Sequence, residues 1–222
     1  MRLMVLCLTA LLSLATISAS TAQEACTPWV PPPADPNAPP APPLPQVFPL
    51  IEGGKTGTEL VLLGDSLTTP RLGQMVSSLS GDRHYRNYAI GGRSAQMLSD
   101  TFAKEEIPAD AIGIIGIGRN NDHGKPQQVL DSIKKAAAHL SSGKYLVLAV
   151  LSGMPAEEQP GGTRRVQIDA LNSELQAIYG DRFVPVRPLL TCTDFRDSVH
   201  LSEAGQDKVA RGVADALQAT GW

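Results

Sequence analysis

Aromatic residues are scarce in this chain of 222 residues, at 5% of the total. This scarcity argues against an aromatic-lined sugar cleft and against a platform on which nucleic-acid bases stack. Neither sign of charge dominates, since 19 Lys and Arg stand beside 22 Asp and Glu, which argues against nucleic acid as a main partner. No group of potential ligands has metal-site spacing, so the sequence predicts no metal and no cofactor.

Long apolar runs are missing except at the N-terminus. Arg2 precedes an apolar stretch over residues 3–15, and the small residues 20–22 suit cleavage before Gln23. Residues 1–22 are therefore predicted to be a signal peptide, with an uncleaved anchor as the alternative. The mature protein is expected to be exported, periplasmic or secreted, and to have no integral membrane segment.

Cysteine is also rare, and Cys7 falls within the predicted signal peptide. Cys26 and Cys192 remain, an even pair in an oxidising compartment, and we predict a disulfide between them. Two free thiols are the alternative. Many prolines between residues 28 and 49 favour an extended linker, either docked or free. The predicted organisation is a proline-rich arm over residues 23–54 and one domain over 55–222.

Apolar segments and helical stripes alternate along that domain, which predicts a parallel sheet covered on both faces. We expect an α/β three-layer, flavodoxin-like sandwich with a five-stranded parallel sheet. The strands are predicted at residues 59–63, 85–90, 111–117, 144–151 and 183–187. The inward-facing stripes are predicted as Leu72, Val76 and Leu79; Met97, Leu98 and Phe102; Val129, Ile133, Ala136 and Leu140; Ile168, Leu171, Leu175 and Ile178; and Val209, Val213 and Leu217.

A serine follows the first predicted strand at once, in the sequence Gly64-Asp65-Ser66. Open parallel sheets bind their ligands at the carboxyl ends of the strands, where this serine lies. A serine can act as a nucleophile when a base reaches it. Alternatively, Ser66 caps the helix that follows. Asp65 is expected to support the turn.

A base is available in the loop after the fifth predicted strand, where Asp197 and His200 are three residues apart. A carboxylate can fix the tautomer of the imidazole and leave its other nitrogen free to take a proton. Two further turns end the second and third strands, at Gly91-Gly92 and at Gly118-Arg119-Asn120. Glycine amides and an asparagine side chain can donate hydrogen bonds to an oxyanion there.

These four segments together resemble the sequence blocks of the SGNH, or GDSL-type, hydrolase family. They span residues 60–201, nearly all of the chain after the proline-rich arm. The resemblance implies that Ser66 is the nucleophile, His200 the general base and Asp197 the residue that orients His200. One departure is Asn121, because many members of the family have Asp at this place.

The resemblance also implies an oxyanion hole formed by the amides of Ser66 and Gly92 and by the side chain of Asn120. Gly92 is preferred to Gly91 because its distance from Asn87 matches the family pattern. Arg93 and Arg119 lie beside these donors. They are candidates for binding an anionic part of the substrate, or else they pair with nearby acids such as Asp122.

The sequence therefore predicts an exported serine esterase that hydrolyses short, acetyl-like acyl esters of a carbohydrate or another polar small molecule. The glycine-rich segment 152–163 is a candidate mobile flap over the site. Two alternatives stay open. The acyl group could instead be transferred to an envelope polysaccharide, or the domain could be a non-catalytic envelope binding module.

Overall fold

The computed structural model describes residues 26–27, 51–54 and 56–222, so the predicted signal peptide and most of the proline-rich arm lie outside the described residues. The strands are β1 (Ile51–Gly53), β2 (Thr56–Gly64), β3 (Arg83–Asn87), β4 (Ile112–Gly116), β5 (Tyr145–Leu148) and β6 (Phe183–Val184). The helices are α1 (Pro70–Leu79), α2 (Ala95–Phe102), α3 (Pro126–His139), α4 (Thr163–Tyr179) and α5 (Glu203–Ala219). In this described part of the chain, no helix is both long and apolar enough to cross a lipid bilayer.

All six strands form one sheet in the order β1-β3-β2-β4-β5-β6. Strands β2 to β6 pair with one another in parallel, which confirms the predicted five-stranded parallel sheet. Strand β1 adds an antiparallel edge, with Ile51 opposite Asn87. The sheet thus begins before residue 55, where the domain was predicted to start.

Two apolar layers pack on opposite faces of this sheet. Val61 and Leu63 of β2 face the layer formed by α2, α3 and α4, whereas Leu60 and Leu62 face the layer of α1 and α5. Because successive side chains of a strand point to opposite faces, the unbroken apolar run of β2 is buried on both sides. This burial fixes the strand at the centre of the fold and the turn after it at the middle of the sheet edge.

Close backbone approach explains the glycine-rich third predicted strand. A Cβ on Gly113 would overlap the Leu140 side chain that follows α3. Strand β4 therefore packs tightly against this helical layer.

Three residues of the predicted helical stripes are not buried. Leu79, Met97 and Ile178 are 42%, 48% and 57% exposed, so their inward placement was wrong. Leu79 ends α1, Ile178 lies in the last turn of α4, and Met97 precedes the buried Leu98 on the outer side of α2. Strands β5 and β6 are also shorter than predicted, because the chain leaves the sheet early to build the loops of the site.

Candidate active site

Ser66 lies on a turn between β2 and α1, at the carboxyl edge of the sheet. Helix α1 begins at Pro70, and its cap is Thr69, whose hydroxyl accepts a hydrogen bond from the Leu72 amide. The alternative that Ser66 caps the helix is therefore wrong. A Cβ on Gly64 would overlap the buried Thr68 side chain, so the tight turn requires glycine at this position.

Asp65 is buried beneath this turn and holds it to the neighbouring strand end. One carboxylate oxygen accepts from the Leu67 amide at 3.1 Å, and the other accepts from the Arg119 amide at 3.2 Å. Burial raises the pKa of Asp65 to about 6, although both amide hydrogen bonds act to lower it. The expectation that Asp65 supports the turn is confirmed by these bonds.

His200 lies between Ser66 and Asp197. Its Nε2 is 3.1 Å from the Ser66 hydroxyl, and its Nδ1 is 2.9 Å from one carboxylate oxygen of Asp197. Both the His200 and the Asp197 side chains are about one-third exposed, at 35% each. The structure thus brings together three predicted residues from two loops that are 134 residues apart in the sequence.

Asp197 is fixed by its own turn as well as by the imidazole. One of its oxygens accepts from the amides of Val199 at 2.9 Å and His200 at 2.7 Å. Burial acts to raise the pKa of Asp197, but these amide hydrogen bonds and the one to the imidazole outweigh it and lower the pKa below its ordinary value. The carboxylate is therefore ionised at neutral pH, as an acceptor of the Nδ1 proton must be.

The two predicted oxyanion turns meet beside Ser66. A Cβ on Gly91 would lie 3.5 Å from the Ser66 Cβ, so the turn that ends in Gly92 borders the serine. Asn120 is exposed, and its side-chain nitrogen donates to the Arg93 carbonyl at 3.2 Å. An amide nitrogen carries two protons, so the second remains available to a ligand.

Asn121, the residue that departs from the family pattern, joins these turns. Its side-chain oxygen accepts from the Ala95 amide at 2.8 Å, and its nitrogen donates to the Gln96 side chain at 2.8 Å. An asparagine can make both contacts because it both accepts and donates.

The two arginines differ in their surroundings. Arg119 is buried, and its guanidinium donates to both carboxylate oxygens of Glu158 at 2.9 Å. This ion pair takes Arg119 away from any ligand and favours the alternative of pairing, with Glu158 in place of Asp122. Arg93 is half-buried and has no ion pair with another residue of the described ranges.

Segment 152–163 is tied down in the structure, contrary to the expectation of a mobile flap. Glu158 and Gln159 are buried within it, and the Gln159 side chain donates to the Gly153 carbonyl at 3.0 Å and accepts from the Cys26 amide at 2.9 Å. Cys26 is bonded to Cys192, so the predicted disulfide is confirmed. It joins the N-terminal arm to the loop that carries Asp197 and His200.

No family model matches the sequence, and no curated protein matches it. Solved structures do match. A protein assigned to the lipolytic G-D-S-L family, from Desulfitobacterium hafniense, is 16% identical with a TM-score of 0.59, covering 72% of this chain and 100% of that one. An acetylxylan esterase from Geobacillus stearothermophilus is 16% identical with a TM-score of 0.56, covering 75% and 95%.

The C-terminal catalytic domain of peptidoglycan O-acetyltransferase A from Streptococcus pneumoniae is 13% identical with a TM-score of 0.52, covering 74% of this chain and 94% of that one. The fold is that of the SGNH hydrolases. The predicted fold is therefore confirmed. In this chain the first three sequence blocks follow the carboxyl ends of β2, β3 and β4, and the fourth lies between β6 and α5.

Sequence reasoning missed Glu158 altogether. It stands beside Glu157 in a short loop rich in Gly and Pro, where an acidic residue is ordinarily solvated, and no local pattern marks it as buried. In the described ranges, no three His, Cys, Asp or Glu side chains are grouped as ligands of a metal ion.

Proposed function

We propose that this protein is an exported serine esterase that hydrolyses short, acetyl-like acyl esters of a carbohydrate or another polar alcohol. The observation that carries the proposal is the hydrogen-bonded series from the Ser66 hydroxyl through His200 to Asp197. A hydroxyl becomes a nucleophile when a positioned base removes its proton, and a base oriented by a carboxylate is suited to that task.

In the proposed reaction, the Ser66 oxygen attacks the ester carbonyl while His200 Nε2 takes the hydroxyl proton. Asp197 stabilises the resulting imidazolium. The amides of Ser66 and Gly92 and the Asn120 side chain donate to the negative oxygen of the tetrahedral intermediate. The intermediate collapses, the alcohol leaves with the proton from His200, and an acyl-enzyme remains. Water, deprotonated by His200, then releases the acid and restores the serine.

Exposure of the site supports a short acyl group on a large, solvated alcohol. Asn120 and Gly92 are exposed, and the His200 side chain is about one-third exposed, at 35%. Such an open edge accepts a glycan whose bulk stays in solvent. One of the similar structures is an acetylxylan esterase, a name that specifies an acetyl ester of a carbohydrate.

Arg93 is the arginine that we propose contacts an anionic part of the substrate. It directly follows Gly92, one of the proposed oxyanion donors, and its carbonyl accepts a hydrogen bond from the Asn120 side chain. Arg119 plays no such part in this proposal because Glu158 holds its guanidinium.

Export is supported by the disulfide between Cys26 and Cys192. Disulfides form and persist in oxidising compartments and are rare in the cytosol. The signal peptide over residues 1–22 stays a prediction that N-terminal sequencing of the mature protein tests.

Acyl transfer is the second candidate, since one similar structure is the catalytic domain of a peptidoglycan O-acetyltransferase. The same acyl-enzyme would pass its acyl group to a sugar hydroxyl in place of water. Product analysis with an acetyl donor, with and without an added glycan, separates the two reactions: free acetate indicates hydrolysis, and an acetylated glycan indicates transfer.

Turnover of p-nitrophenyl acetate and labelling by a fluorophosphonate test the proposal directly. We expect wild type to do both and Ser66→Ala to do neither. Ser78→Ala is the matched control, because Ser78 is an exposed serine of α1 away from the turn. If wild type neither turns over the ester nor takes the label, the proposal fails and the result supports the non-catalytic binding module.

A further inference from the structure

Glu158 is a buried carboxylate that the proposed reaction does not use. Its side chain is 1% exposed, in a short helical turn of segment 152–163. Three groups surround it: the Gly153 amide donates at 2.6 Å, the Arg119 guanidinium donates to both oxygens, and Arg164 lies at 3.5 Å. Burying a carboxylate is unfavourable unless it is paired and hydrogen-bonded, and these three groups supply that pairing.

One contact of Glu158 leads to the turn that carries the base. Glu158 holds the Gly153 amide, and the next amide, of Met154, donates to the Ser198 carbonyl at 2.7 Å. A Cβ on Gly153 would overlap that same carbonyl, so the two backbones are in close contact. Ser198 directly follows Asp197 and lies two residues before His200. Gly153 and Met154 therefore pack directly against the Asp197–His200 turn.

The other contact of Glu158 leads to the oxyanion turn. Its partner Arg119 directly precedes Asn120, whose side chain is a proposed oxyanion donor. The Arg119 amide also donates to Asp65, the residue before Ser66. One carboxylate is thus linked, through Gly153 and through Arg119, to the two segments that carry His200 and Asn120.

We infer that Glu158 is a positioning residue, which sets His200 through Gly153 and Asn120 through Arg119 at their distances from Ser66. The inference rests on the proposed function for its effect on rate, but the placement of the His200 turn can be observed without turnover. Small displacements at a reacting centre lower the rate strongly, by about 100-fold for about 1 Å.

The decisive variant removes both charges, Arg119→Met together with Glu158→Met. Replacing a buried ion pair by apolar side chains of similar size is often neutral for stability, but it leaves the Gly153 amide without its acceptor. We expect a folded protein whose kcat for p-nitrophenyl acetate is about 100-fold lower with KM little changed. Glu157→Gln is the matched control, since Glu157 is the exposed neighbour in the same turn, and it should behave as wild type.

A proton spectrum supplies the readout that is independent of activity. The His200 Nδ1 proton donated to Asp197 gives a low-field signal, assigned by its absence from His200→Ala. We expect the double variant to lose this signal by exchange with solvent, and the Glu157→Gln protein to retain it. If the double variant does not fold, Glu158→Gln is measured in the same two ways. Its amide oxygen can still accept from Gly153, so we expect the low-field signal to remain, whereas kcat should fall because its nitrogen opposes Arg119, which precedes Asn120.

Near wild-type kcat together with a retained low-field signal, in a folded variant, overturns the inference. A lower melting temperature with no change in kcat or in the low-field signal also overturns the inference, because Glu158 would then only stabilise the fold. If wild type has no esterase activity but the variant loses the signal, the proposed function fails while the positioning of the His200 turn by Glu158 stands.

Discussion

Asp65 gives the sharpest test of the electrostatics beneath Ser66, the proposed nucleophile. The carboxyl is buried under the Ser66 turn, and burial raises its pKa from the ordinary value of 3.8 to about 6. Two amides, of Leu67 and Arg119, hydrogen-bond its oxygens and oppose the shift. The perturbation we consider is Asp65→Asn, which keeps the shape of the side chain and removes its titration.

The sign follows from proton binding. Between pH 3.8 and about 6, folded Asp65 is protonated while the unfolded chain has lost the proton, so the folded state binds more protons. Stability therefore falls as pH rises through this window, and the full loss persists above pH 6. At about 1.4 kcal/mol for each unit of difference between the two pKa values, the loss amounts to about 3 kcal/mol.

Urea denaturation of wild type and Asp65→Asn at several pH values measures this effect. The difference between their free energies of unfolding cancels the groups that are distant from residue 65 and leaves the contribution of Asp65 with the charges coupled to it, Arg119 and His200. We expect wild type to lose about 3 kcal/mol relative to the variant between about pH 4 and pH 7. The exposed Asp110 supplies the control, because Asp110→Asn removes a carboxyl that lies outside the Ser66 turn. If the stability of wild type relative to Asp65→Asn stays constant or rises over this pH range, burial does not raise the pKa of Asp65.

Three further predictions concern the disulfide, the orienting acid and the substrate. The Cys26–Cys192 bond closes a loop with a sequence separation of 166. Replacing both cysteines by serine should therefore destabilise the fold by about 5 kcal/mol and lower Tm by about 10 to 20 °C. A change in Tm below about 2 °C in calorimetry contradicts this expectation. Asp197→Asn should lower kcat by about 10⁴-fold at unchanged Tm, since the imidazole then adopts the wrong tautomer, and an activity near wild type removes Asp197 from the site. Arg93→Gln should raise KM for anionic esters more than for neutral ones, whereas the exposed Arg211→Gln should change neither; equal effects of Arg93→Gln on both ester classes end the proposal for Arg93.

Much of the fold follows from local pattern. The unbroken apolar run of β2 and the apolar stripe of α3 are both buried. Each is recognisable from its own residues, without knowledge of the rest of the chain. Exposed apolar residues at helix ends, such as Leu79 and Ile178, mislead the same reasoning. A helix end faces inward or outward according to where the chain turns next, and the helical period does not contain that information.

The site divides in the same way. The Gly64–Ser66 turn and the spacing of Asp197 and His200 are short-range features of the sequence. A doubly wound sheet brings the carboxyl ends of its parallel strands, and so these two loops, to one edge. The fold class and the pairing of the two cysteines could therefore be predicted from the sequence, and so could Ser66 and His200 as the candidate nucleophile and base. Each of these depends on neighbouring residues or on a count.

The surroundings of the charged side chains near the site depend on contacts between distant segments, so they follow from the tertiary structure alone. It separated Arg93 from Arg119 by giving Arg119 a partner 39 residues further along the chain. It also buried Glu158 while leaving Glu157 exposed. Whether an ionisable side chain lies in water or against an opposite charge depends on which loops the sheet brings together, because adjacent and chemically identical residues carry no local sign of that difference.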